Sequence, residues 1–303
     1  MFPKPFFWTA LCHAIRRVSL AVSFLVGGLT SQFANGQVVR IAPKASACDA
    51  TLVDAGLEVS GLKDAGKLIA AEVGPMFAQM QQTMRAQGRR LPPADRDRIL
   101  AIMQQAFDAD AVGQEMQRSM RSHCEPKVFA AAVEQLRTPL ATKIRGLENE
   151  FNRLQSQAAI NRYAASLEQH PPTETREALI QALEKTVHQA DFAADTDAQV
   201  ILALYMGLSE QSTDDAQFGA IRDKLLPAVQ QATRVQLLMV YRNAADEELD
   251  QYIMLLRTPE IQRFQTIYKS AFQNAMVRRS QVLAAMIKQH SILTRIVRAG
   301  ANC

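Results

Sequence analysis

Apolar residues recur at steps of three and four through most of residues 48–290, the period of one helix face. Leu62, Ala65, Ile69, Val73, Met76, Met80 and Met84 follow it, with Pro75 expected to kink or restart the run. Gly88 to Pro93 reads as a loop. Ile99, Met103 and Phe107 predict the next helix, then Val112, Met116 and Met120, then Phe129, Val133 and Leu136. Leu140, Ile144, Leu147, Phe151, Leu154 and Ala158 make a longer seam, which His170-Pro171-Pro172-Thr173 ends. Beyond that break, Leu179, Leu183 and Val187 share a face. Asp195-Thr196-Asp197 reads as a helix start, followed by Ile201, Leu204 and Leu208. Phe218, Ile221, Leu225 and Val229 come next, with Pro227 as a second expected kink. Leu249, Ile253 and Leu256 precede a last long helix from about Pro259 to about His290. No stretch alternates with period two for long enough to predict a strand, so the expected fold class is all-α.

One tetrapeptide occurs twice. Leu136-Arg137-Thr138-Pro139 returns as Leu256-Arg257-Thr258-Pro259, 120 residues on. Around it Met120 aligns with Val240, Phe129 with Leu249, Val133 with Ile253, Lys143 with Arg263, and Ile144 with Phe264. Agreement of apolar positions at one offset predicts duplication: two helical repeats packed into one bundle. Proline disfavours helical geometry in the residue before it, so the incoming helix must end by Thr138 and Thr258. Threonine is a good N-cap, and proline at the first helical position gives up a donor that had no partner. Thr138, Pro139, Thr258 and Pro259 are therefore expected structural corners, each joining two helices. The predicted organisation is residues 48–172 for the first repeat and 173–290 for the second, each burying apolar faces against the other.

The ends read differently. Residues 1–17 are basic, Val18 to Leu29 is an uncharged, mostly apolar run, and Ala34-Asn35-Gly36 offers small residues before a cut. That is the plan of a secretory signal over residues 1–36, with cleavage expected between Gly36 and Gln37 and, because the 17-residue start is long, an uncleaved anchor as the alternative. An apolar run of twelve residues spans about 18 Å as a helix against roughly 30 Å of hydrocarbon, so no transmembrane span is expected after cleavage. Residues 37–47 read as an extended lead-in and 291–303 as a tail. The net charge of +4 comes from 34 basic and 30 acidic residues. Lys4, Arg16 and Arg17 lie in the first 36, which carry no acid, so the remainder is near neutral and nucleic acid is not an expected partner. Export to the periplasm or beyond places the remaining cysteines, Cys48, Cys124 and Cys303, in an oxidising compartment. Three pairings are possible, as is none. Cys48–Cys124 is favoured because both lie beside polar breaks in the same half, and Cys48–Cys303 is its rival.

At the repeated corner the chain resembles a family of exported bacterial helical proteins known as domain of unknown function two-thousand-and-fifty-nine. That family's pattern is an acidic helix start, an apolar or aromatic pair, a Ser/Thr-Pro corner, then a small and a basic residue. Asp246-Glu247-Glu248-Leu249 through Arg263-Phe264 follows it, and Lys127 to Ile144 follows it in part. Leu136 and Leu256 stand where the family has an aromatic, and Ala141 and Ile261 where it has glycine. The resemblance implies an exported, all-helical fold and no particular activity.

Searching for chemistry yields little. No nucleophile elbow, phosphate-cradling glycine loop, HExxH or CxxC is present. Asp108-Ala109-Asp110 opens like a calcium loop, but Val112 and Ser119 fall where oxygen ligands are needed, so a helix cap is expected there. Met80 and Met120, with His123 and Cys124, are the candidate soft ligands for a metal such as copper; core filler is the competing reading of the methionines. Glu148 and Glu150 point to different sides of their helix and form no acid–base pair. His170, His188 and His290 are isolated, and Arg89-Arg90 and Arg278-Arg279 read as solvated surface. The expectation is therefore an exported, non-catalytic binding or interaction module of the bacterial envelope, without a cofactor, holding an envelope protein, a peptide or a lipid-like ligand. A hydrolase with a dispersed site around Glu148 or His123, and a copper-handling protein, are the alternatives.

Overall fold

Local signals set where the helices begin. Asp49 Oδ1 accepts the Leu52 N–H at 2.7 Å and opens α1 (Ala50–Val59). A short 3-10 turn, Leu62–Asp64, leads into α2 (Ala65–Ala86). Pro93 opens α3 (Pro93–Ala106). Asp108 caps α4 (Ala109–His123), its Oδ1 accepting the Ala111 N–H at 3.0 Å, which is the capping role and not a calcium loop. Proline again takes the first position in α5 (Pro126–Leu136) and α6 (Pro139–Leu154). The chain continues through α7 (Gln157–Gln169), α8 (Glu174–Val187), α9 (Gln189–Ser209), α10 (Asp215–Val240), a 3-10 turn Tyr241–Asn243, α11 (Asp246–Leu256) and α12 (Pro259–Gln289). This computed structural model describes residues 48–289 except 87, 89, 155, 156 and 210–214, and among these the chain is all-α with no strand. The expected signal segment, lead-in and tail, with Cys303 and His290, lie outside the described residues.

Two sequence expectations are narrowed or changed. Of the kink or restart expected at Pro75 the restart does not occur, and both Pro75 and Pro227 sit inside continuous helices, α2 and α10. The lost hydrogen bond is outweighed by packing, since Ile69, Val73, Met76, Phe77 and Met80 are buried on both sides of Pro75. Asp195-Thr196-Asp197 is not a helix start but the middle of α9. Thr196 Oγ1 bonds back to the Phe192 carbonyl at 2.7 Å, and Asp195 is bound by Arg222, so neither side chain is free to cap. The real start is Gln189, directly after His188, which holds φ 42° and ψ 47°. The long seam runs along α6 and α7, with residues 155 and 156 between them outside the described residues.

The two Leu-Arg-Thr-Pro corners share local geometry. α5 and α11 are each 11 residues, and Arg137 (φ −91°, ψ 0°) and Arg257 (φ −83°, ψ −4°) end them alike. Thr142 N donates to Thr138 O, and Gln262 N to Thr258 O, both at 2.9 Å. Leu136 and Leu256 are buried and their carbonyls are covered by later side chains, Arg145 and Gln262. Each corner arginine reaches back to its half's first helix: Arg137 to Glu58 of α1 at 4.0 Å, Arg257 to Thr186 of α8 at 3.2 Å.

The corners also lock each other. Lys143 of α6 is paired with Glu248 of α11, and the aligned Arg263 of α12 with Glu125 before α5, at 2.6 Å. Thr258 Oγ1 donates to Gln135 Oε1 at 2.8 Å. α5 packs on α12, and α11 on α6. Between them lies one apolar cluster with members from both sides of residue 172, including Met80, Met120, Phe129 and Ile144 with Leu249, Phe264 and Phe272. The Phe129 and Phe264 rings meet edge-on, with centroids 4.9 Å apart. Gly56 is packed where an added Cβ would lie 3.2 Å from both rings. The 31 residues of α12, about 46 Å of helix, pack on α3, α4 and α5 as well as α9.

Candidate functional site

Cys48 and Cys124 form a disulfide, with Cα atoms 5.8 Å apart, joining the start of α1 to the turn between α4 and α5. Both are buried. A disulfide sulfur carries no thiolate, so Cys124 drops out of the soft-ligand set. Met80 and Met120 are fully buried members of the main apolar cluster. His123 Nδ1 lies 2.8 Å from the Ser119 carbonyl, within its own helix. Among the described residues, no cluster of three or more His, Cys, Asp or Glu could hold a metal ion. Arg279, which reads as surface in the sequence, caps α3 through the Ala106 carbonyl.

Two polar clusters lie inside the protein; the sequence reading named Glu148 of the first without its partners, and neither Glu184 nor Lys269 of the second. The first is at the α6–α10–α11 junction. Glu148 is buried and accepts from Tyr241 Oη at 2.7 Å and from Tyr252. Burial raises its pKa to about 7, against the opposing hydrogen bonds and the nearby Arg145 charge. Both tyrosines are held well above their ordinary range, first by burial and then by Glu148. Arg176 of α8 closes the same junction, donating to the Tyr241 and Ala244 carbonyls at 3.0 and 2.7 Å and pairing with Asp246 at 2.7 Å.

The second cluster surrounds the α8–α9 corner, where His188 alone separates the two helices. Lys269 of α12 is buried and donates Nζ to the Val187 carbonyl at 2.8 Å, so it covers the C-terminus of α8. Its ammonium nitrogen also sits 4.6 Å from the centre of the Phe192 ring. Glu184 Oε1 accepts the Ala190 N–H at 2.9 Å, so it covers the N-terminus of α9. Burial lowers Lys269 to about 7 and raises Glu184 to about 7, each opposed by the other's charge. One turn further on, Arg222 of α10 binds Asp195 at 2.6 Å and Asp191 beside it.

A contrast between halves emerges from this. Thr186, Gln189, Thr196, Asp197, Thr233, Gln236, Gln265, Lys269 and Ser280 are buried polar residues after residue 172, whereas Ser60, Asp95 and Glu148 are those before it. Sequence reasoning could not find Lys269, a single charge at an ordinary helical step, and it offered Glu148 without the two tyrosines that surround it. The signal was the neighbouring residues Tyr268, Ala271 and Phe272, which crowd Lys269 onto an apolar face. Comparison with protein-family models, curated proteins and solved structures finds no match to this chain.

Proposed function

We propose that this chain is an exported, non-catalytic helical module of the bacterial envelope, built from two copies of a bent helical unit, which engages a protein partner through its outer surface. Export rests on the basic and apolar plan of residues 1–36, and the family resemblance rests on the Thr-Pro corners. One observation carries the non-catalytic reading. The ionisable groups drawn inside end on other parts of the same chain: Glu148 on two tyrosines, Lys269 on Val187, Arg222 on two aspartates, Arg176 on two carbonyls and Asp246. They act as ties between helices. No helix among the described residues is long and apolar enough to cross a membrane.

The corners face each other across one shared apolar cluster, and the large apolar side chains exposed among the described residues are Met206 and Met254. These two side chains support the outer faces of α9 and α11 as the partner surface. Site-specific photo-crosslinking in intact cells from Met206 and Met254 tests this. A discrete protein adduct from either position, absent from a crosslinker at Glu134, is the expected result. No adduct from either position overturns the reading.

A further inference from the structure

The α8–α9 corner holds more polar atoms than its protein contacts satisfy. Glu184 Oε1 is used by the Ala190 N–H, but Oε2 of the same carboxyl is buried with no hydrogen-bond partner. Gln189, the residue next to Ala190, is 1% exposed, and neither its Oε1 nor its Nε2 has a partner. Thr233 of α10 is also 1% exposed, with its Oγ1 unpartnered. It lies one turn beyond Val229, which packs on Ala190, Ala193 and Ala194. Glu184 and Gln189 flank one corner, the Glu184 carboxyl being bonded to the residue after Gln189, and Thr233 belongs to α10, which packs on α9. Buried polar atoms are satisfied in folded proteins, by protein or by ordered water. Small apolar side chains are already accommodated on this surface, so sterics do not demand Gln and Thr there.

The surroundings select the occupant. A cation is excluded: Arg222 already binds Asp191 and Asp195, and the Lys269 amine shares the corner with Glu184. An anion is repelled by the same three carboxyls. The unpartnered set contains a carboxylate acceptor, an amide acceptor, an amide donor and a hydroxyl. A neutral molecule that both donates and accepts, with two to four bonds, fits them, and water is that molecule.

We propose that the α8–α9 corner is a hydrated site, in which ordered water inside the second half bridges Glu184 Oε2 to the Gln189 amide and Thr233 Oγ1.

A crystal structure that resolves ordered solvent tests the site directly. Water within hydrogen-bond distance of Glu184 Oε2 and of either Gln189 or Thr233 supports it. An empty site, or a direct bond from Gln189 to a protein atom, overturns it. Solution measurements on Gln189→Met give an independent check. Magnetic relaxation dispersion of water should lose at least one long-lived internal molecule, and Tm should fall by roughly 2–4 °C as that water loses partners. A raised Tm overturns the proposal, because relief of an orphaned amide stabilises a dry core.

Discussion

Glu148 shows how one side chain acquires its property. Its carboxyl is in the core with two tyrosine hydroxyls, and burial raises its pKa from 4.5 to about 7. The folded protein therefore holds a proton there that the unfolded chain has already lost between those values. Stability from this group is complete below about pH 4.5 and is lost as pH climbs through about 7, an effect on the order of 2–3 kcal/mol. Glu184 acts in the same direction over the same window. Lys269, whose pKa is lowered, costs stability as pH falls from 10.5 toward 7. The urea midpoint is thus expected to be higher near pH 5 than near pH 7, and Glu148→Gln should shrink that difference. An unchanged difference in the variant would show that Glu148 does not carry the proton. Sequence spacing does put Glu148 and Glu150 on different sides of α6, and in the structure one is buried and the other exposed. It could not supply Tyr241 and Tyr252, roughly a hundred residues away in the chain, and these make the carboxyl unusual.

At the scale of elements, close approach decides which helices can pair. Gly66 lies at the start of α2 against α4, and a Cβ there would stand 2.2 Å from the Ala109 carbonyl oxygen. Backbone cannot retreat as a flexible side chain can. Gly66→Ala should therefore cost more than about 2 kcal/mol, whereas Gly113→Ala, where a Cβ meets nothing within 4 Å, should stabilise by about 0.5–1 kcal/mol. Thermal melts of the two variants measure this, and equal effects would mean that α2 and α4 are not so closely apposed. Helix ends were legible where they depend on neighbours in sequence. The cap at Asp108 and the prolines opening α6 and α12 needed no tertiary information. The continuity of α2 and α10 through proline was not legible, because it depends on what those helices pack against.

The whole molecule is organised around α12, which packs on α3, α4 and α5 of the first half and on α9 of the second. Phe264, Ile267, Tyr268 and Phe272 are buried along it. Burying a large apolar side chain contributes roughly 1.5–3 kcal/mol, so losing these four exceeds much of a typical domain's net stability. A chain ending at residue 258 should retain helical circular dichroism but lose its cooperative melt and bind ANS. A cooperative melt in that truncation would show that the first half folds independently of α12.

The chain alone determined what depends on short range: period 3.6 in the apolar residues, caps and prolines at helix starts, and the twice-occurring Thr-Pro corner. From these follow the all-α class and the two bent helix pairs. Tertiary structure decided which corner residue meets which, as in Lys143 with Glu248 and Arg263 with Glu125. It also decided which isolated charges were taken out of water. Helical period fixes the face a residue occupies, but burial depends on what another helix brings to that face, and one sequence window does not contain its partner.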